Sequence, residues 1–176
     1  MMFSNDIMIL NENDLIAMGQ RSLVYRHPED KNSLIKVVNP KFRTKKSLKS
    51  SLLRKVPSIN RYRLSKCCMR ELVESVRLRF NDRYKPISCI QQVNGLVDTN
   101  LGLGLIVKAE KGRDGSYAKT LKTIIQMNQF DDLVKEKLEE FYRSLAECDI
   151  AISDCVPRNI VYAYDEVLGD HFVLID

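Results

Sequence analysis

The chain has 176 residues, 44% of them apolar, which suits one domain or one domain with part of a second; 7 glycines and 5 prolines do not make a low-complexity chain. Its longest early apolar run, Ile7 to Leu10, has four residues, against the roughly twenty of a membrane-spanning helix. The formal charge of +5 is uneven, because Lys41 to Arg70 holds eleven Lys or Arg and no Asp or Glu, leaving the rest net acidic.

Asp6 and Asn11-Glu12 flank the early apolar run, so it does not read as a signal peptide, and a cytoplasmic protein without a transmembrane segment is expected. Five cysteines without regular spacing do not suggest a disulfide framework. Two histidines and no Cys-x-x-Cys argue against a zinc site.

In chain order, Asp14 to Gly19 and Ser22 to Arg26 read as strands. His27 to Asn32 is a turn by composition. Ser33 to Val38 is an apolar strand with one lysine inside it, stopped by Asn39-Pro40. After the basic stretch, Leu64, Cys68, Leu72, Val76 and Phe80 recur every fourth residue, which predicts a helix over about Tyr62 to Asn81. Strands are expected at Ile87 to Val93 and Leu103 to Lys108, with a turn between them containing Asn94-Gly95 and Asp98-Thr99-Asn100. Lys111 to Gly115 is a polar loop, and Thr120 to Met127 a short helix. A longer helix is predicted over Gln129 to Cys148, capped by Asn128, with Phe130, Leu133, Val134, Leu138, Phe141, Tyr142, Leu145 and Cys148 on one face. A polar loop, Ser153 to Asn159, leads to strands at Ile160 to Tyr164 and Phe172 to Asp176. Strands first and helices later predict an α+β fold.

Phosphoryl transfer relies on placed charges: a lysine on the nucleotide phosphates, a carboxylate holding it, an Asp for the acceptor hydroxyl, and an Asn and Asp for the metal. Each has a candidate here, in the chain order that kinases use. Lys36 sits in Leu34-Ile35-Lys36-Val37; such a lysine is either on an edge strand reaching water or paired with an acid. Glu71, at the margin of the apolar stripe, is a candidate partner, with Glu74 in competition. Asp154 and Asn159 have the Asp-x-x-x-x-Asn spacing of a catalytic loop, although alone they are ordinary turn formers. Asp176 ends a strand where a second magnesium ligand would fall. A nucleotide-covering loop is only partly present: Ala17-x-Gly19-x-x-Ser22-x-Val24 keeps one glycine of three.

Tyr25 to Asp30 followed by Ile35-Lys36-Val37, together with Arg70-Glu71-Leu72 and Pro157-x-Asn159-Ile160, resembles the bacterial YrbL (PhoP regulatory network protein) family, a minimal relative of protein kinases, over about Leu10 to Asp176. The resemblance implies a two-lobed kinase-like fold with ATP and magnesium at the cleft. A β-rich lobe with one main helix would span 1–110, with a basic insertion at about 41–66. A truncated helical lobe would span 111–176. It further implies that Gly19, Val24, Lys36 and Glu71 attend the nucleotide, that Val107 backs its pocket and that Lys108 to Glu110 form the hinge. Asn159 and Asp176 would hold magnesium, and Asp154 would act on the acceptor.

The sequence departs from the kinase pattern. Ile152-Ser153 replaces His-Arg, and Val156 replaces a lysine for which Arg158 could substitute. No activation segment follows Asp176, so the substrate platform is either lost or outside this sequence. A phosphotransferase acting on an unidentified hydroxyl acceptor therefore stands beside a catalytically inactive regulatory or nucleotide-binding module. Binding of nucleic acid or an anionic membrane surface through 41–70 is a third reading, less favoured than a solvated insertion because only Phe42 and Tyr62 offer stacking.

Overall fold

Alternation of side chains decides the first sheet. The computed structural model describes residues 7–41, 68–78, 88–148, 152 and 154–175. Strands β1 (Leu15–Met18), β2 (Ser22–Arg26) and β3 (Ser33–Val38) pair antiparallel in sequence order. Residues 68–78 are helical (α1). Strands β4 (Val93–Thr99) and β5 (Gly102–Lys108) form a hairpin, and β5 pairs with β3, which gives the order β1-β2-β3-β5-β4. The fold is α+β, with an all-antiparallel five-stranded sheet and few helices among the described residues.

One sheet face carries Leu23, Tyr25, Ile35 and Val37 and is closed by Leu10, with Met8, Leu15, Val97 and Leu101 packed around them. The early apolar run thus has a structural purpose. Met8 bridges to Thr99, its N–H donates to the Asp98 carbonyl at 2.9 Å, and Ile7 and Ile9 point outward while Leu10 is buried. The opposite face carries a row set by register: Ala17 opposite Val24, Val24 opposite Lys36, and Lys36 opposite Leu105. Central position buries β3 along its whole length. Ile35, Val37, Leu105 and Val107 are fully enclosed, each stabilising the fold by about 1.5–3 kcal/mol.

The expected strand at Ile87 to Val93 and the turn after it are corrected by the structure. Ser88 and Cys89 form a turn, Ile90 makes an isolated bridge, and the strand begins at Val93. Asn94-Gly95 lies in a β-bulge, where the register slips between Val93 and Gly95, and the hairpin turn is only Asn100-Leu101. An edge strand tolerates these turn-forming residues because a bulge accommodates an unpaired position.

The chain divides into two units, Met1–Val76 with Val93–Lys108, and Arg77–Gln92 with Ala109–Asp176. In the second, β6 (Lys119–Thr120), β7 (Ile160–Asp165) and β8 (Gly169–Leu174) form an antiparallel sheet in that order. Helices α2 (Leu121–Gln126) and α3 (Asp132–Ala146) pack their buried residues Leu121, Ile124, Val134, Phe141 and Leu145 with Cys89, Ile160, Phe172 and Leu174. Thr120 caps α2 by accepting from the Thr123 N–H.

Asn128 does not cap α3. It has a φ of 54°, in the left-handed region, and lies in the turn after α2; Asp131 caps α3, its carboxylate accepting from the Val134 N–H at 2.8 Å. The expected apolar face of α3 is also narrower, since Phe130, Leu133 and Tyr142 are exposed. No helix among the described residues is long and apolar enough to cross a membrane.

Gly104 tests the packing of the first unit. A Cβ there would lie 2.8 Å from Ile35 Cγ2, a buried β-branched group, and 3.3 Å from both Thr99 Cγ2 and Val37 Cγ1. Gly104→Ala is expected to cost about 1–3 kcal/mol through overpacking, read as a lower urea midpoint; a wild-type midpoint would contradict this packing.

Candidate functional site

In the first unit, register leaves Lys36 inside the sheet, and chemistry must then provide it with a partner. Its residue is 6% exposed. Nζ donates to Glu71 Oε2 at 3.1 Å, from α1. A desolvated ammonium without a counter-charge costs several kcal/mol, so the pair is a condition for β3 being central. Val24, directly opposite Lys36 on β2, is half-buried on the same face.

Two side chains set the geometry that leads into β3. His27 Nδ1 accepts the backbone N–H groups of Glu29 at 3.2 Å and Asp30 at 3.1 Å, which requires that nitrogen to be unprotonated. Asp30 accepts from the Asn32 N–H at 2.9 Å and from the Ser33 hydroxyl at 2.5 Å. The His-Pro-x-Asp part of the motif is therefore a self-capped turn that fixes where β3, and hence Lys36, begins. After β3, buried Asn39 donates through Nδ2 to the Gly19 carbonyl at 2.9 Å, tying the β1–β2 turn to the end of the strand. In sequence, Asn39 reads only as a strand stop, and the Pro40 that follows it is the only signal there.

Gly19 occupies that β1–β2 turn. Its N–H donates to the Ser22 carbonyl at 2.8 Å, so both backbone groups of this glycine already bond within the unit. Val107 is fully enclosed within β5, opposite Leu34 and Val93. Lys108 ends β5 opposite Ser33, and Glu110 is buried, its carbonyl accepting from the Ala118 N–H at 3.0 Å.

In the second unit, residues 154–159 form a loop held from several sides. Asn159 is 8% exposed; its Nδ2 donates to the Asp154 carbonyl at 3.0 Å and its N–H to the Val156 carbonyl at 2.8 Å. The Lys122 N–H on α2 donates to the Pro157 carbonyl at 3.0 Å, and the Ile175 N–H to the Asn159 carbonyl at 2.9 Å. Arg158 Nη2 donates to Asp154 Oδ2 at 3.2 Å, both side chains being substantially exposed. Burial pushes the Cys155 thiol up, opposed by a hydrogen bond with Tyr142, so Cys155 adds no negative charge beside Asp154 at neutral pH.

The arrangement offers chemistry of two kinds. A buried, acid-held ammonium can meet a phosphate oxygen. An Asn whose amide nitrogen is committed internally offers its amide oxygen, the hard donor type that magnesium takes, beside an exposed carboxylate. Asp176, the other expected metal ligand, lies outside the described residues, as does most of the basic stretch at 42–67 and Ser153.

A family model described as PhoP regulatory network protein YrbL matches residues 8–176. The chain belongs to this family. None of the curated proteins matches it. Within the YrbL match, the His27-to-Asp30 turn, the Lys36–Glu71 pair and the Asn159 loop are the described features on which the sequence resemblance rested.

The ion pair predicts an asymmetry. Glu71→Ala removes a carboxylate from a buried ammonium and is expected to cost about 3–5 kcal/mol in urea unfolding, whereas Lys36→Met removes the ammonium from a more exposed carboxylate and costs less. Equal losses would show that burial of the lysine is not what makes the pair necessary.

Proposed function

We propose that this YrbL-family protein is a small, two-lobed kinase-like protein, with lobes of about 1–110 and 111–176, that binds ATP with magnesium. Lys36, oriented by Glu71, meets the nucleotide phosphates, while Val24, Val107 and the Lys108 to Glu110 segment contact the rest of the nucleotide. Asn159 and Asp176 hold magnesium, which when bound neutralises phosphate charge. Asp154 accepts a proton from a substrate hydroxyl, and Arg158 holds the Asp154 carboxylate and balances charge beside it. The acceptor is a hydroxyl-bearing molecule or protein in a bacterial regulatory setting.

The observation that carries this reading is the Lys36–Glu71 pair at 3.1 Å on the central strand of an antiparallel sheet. Packing alone would favour an aliphatic residue at that position, because replacing a buried ion pair with apolar side chains is often neutral or stabilising. A charge kept there at such cost has a use beyond the core. The pinned loop is the second support. Catalysis of phosphoryl transfer is mostly positioning, and Asn159 holds the backbone of Asp154 directly.

A specific observation favours a second reading, nucleotide binding without transfer. Gly19 has its N–H committed to Ser22 and its carbonyl to Asn39, so the one glycine of the turn has no backbone donor left for a phosphate. A looser phosphate clamp slows transfer more than it weakens binding, because transfer needs the γ-phosphate held in line.

Thermal unfolding of the full chain with and without Mg·ATP tests the shared claim. Saturation at about 100 times Kd is expected to add about 2.7 kcal/mol of stability, lost in Lys36→Met and weakened in Asn159→Ala. No stabilisation by millimolar Mg·ATP would sink both readings. Transfer of the γ-phosphate to water or an added acceptor, reduced at least 100-fold in Asp154→Asn, would select the first reading over the second.

A further inference from the structure

In the second unit, the sulfurs of two cysteines distant in sequence lie together. Cys89 Sγ and Cys148 Sγ are 3.8 Å apart, and both are thiols. Cys89, 4% exposed, belongs to the core formed with Phe141, Leu145 and Leu174. Cys148, just beyond the end of α3, is only partly buried and donates to the Ser144 carbonyl at 3.2 Å. We infer that Cys89 and Cys148 form a reversible redox pair, closed to a disulfide by low-molecular-weight disulfides and opened by thiols.

The separation is van der Waals contact, so a bond of about 2.05 Å needs side-chain rotation more than backbone movement. Exposure sets the order of events. Cys148 Sγ, after losing its proton to water, attacks one sulfur of the small disulfide RSSR; that S–S bond breaks and one RS⁻ leaves. Cys89 Sγ, deprotonated in turn, attacks Cys148 Sγ. The Cys89–Cys148 bond forms as the Cys148–SR bond breaks, and the second RS⁻ leaves. The two cysteine sulfurs lose two electrons, the small disulfide gains two, and the two protons end on the released thiolates.

Burial, with the neighbouring Cys148 adding to it, pushes the Cys89 thiol up to about 12. Thiolate is therefore scarce at the second step, which is slow at neutral pH and speeds by about tenfold per pH unit between 7 and 9. Such a pair stays reduced in a thiol-rich compartment and closes only under oxidative load.

The bridge would bear on the candidate loop. The Cys89 carbonyl accepts from the Leu174 N–H at 2.9 Å, and the next residue, Ile175, donates to the Asn159 carbonyl at 2.9 Å. Closure would tie the end of α3 to this ladder.

The test is oxidation of the full chain with oxidised glutathione, acid quenching, alkylation in denaturant and peptide mass spectrometry. The expected product is a Cys89–Cys148 cross-linked peptide, with Cys67, Cys68 and Cys155 alkylated. Cys89→Ala is expected to stop at a glutathione adduct on Cys148. Cys148→Ser, at a more exposed site and less prone to unfold, is expected to leave Cys89 alkylated. Closing this loop is expected to raise the melting temperature by about 5–10 °C, reversed by dithiothreitol. The inference is overturned if both thiols remain alkylatable after oxidation. It is equally overturned if either bridges to another cysteine, if the adduct on Cys148 persists in the unmutated chain, or if the bridged protein melts no higher than the reduced one.

Discussion

The first unit is organised around an ammonium that cannot be left alone. Antiparallel pairing on both sides of β3 removes Lys36 from water, and only a carboxylate reaching over that face makes this tolerable. Other features of the unit serve the same placement. The His27–Asp30 turn sets where β3 starts, Asn39 ties its end to Gly19, and Gly104 lets β5 approach Ile35 closely enough to keep the strand enclosed. The N-terminal run closes the other face, so that the sheet buries apolar side chains on one side while holding a charge on the other.

The second unit follows a different logic. Its core is a three-stranded sheet packed against two helices, with aromatic rings of Phe141, Tyr162 and Phe172 in contact; Tyr162 and Phe172 have centroids 4.8 Å apart. The loop at 154–159 packs Cys155 against that core and is otherwise held by hydrogen bonds to its backbone. Lys122 holds it from α2, Ile175 from the end of β8, and Asn159 from within. A loop built this way keeps its geometry when its exposed side chains engage a ligand, because none of its backbone bonds depends on them. Arg113 similarly fastens the preceding polar hairpin, pairing with Asp170 at 2.7 Å and stacking on Tyr164 at 4.4 Å.

The same physics explains why signals differ in strength. His27, Pro28 and Asp30 make a conspicuous motif because a self-capped turn demands particular donors and acceptors at particular positions. Yet these residues build a turn and carry no charge into the candidate site. Lys36 and Glu71 are separated by 35 positions, with the basic stretch between them, and their relation is a matter of sheet register and helix placement. The thiols of Cys89 and Cys148 show no rhythm in sequence, because a shared core, not spacing, brought them together.

Local chemistry alone determined the α+β class, the limits of β2 and β3, and the existence of α2 and α3, since these depend on alternation, turn formers and helical periodicity within short windows. Composition also showed the acidic and basic parts of the chain. Only the tertiary structure decided that Asn94-Gly95 is a bulge inside a strand, that Asp131 caps α3, and that the expected α3 face leaves Phe130, Leu133 and Tyr142 in water. It alone showed Lys36 buried against Glu71 and Cys89 beside Cys148. Each of these depends on which elements become neighbours, and the energy that selects neighbours is shared among residues too far apart in the chain for any local pattern to register it.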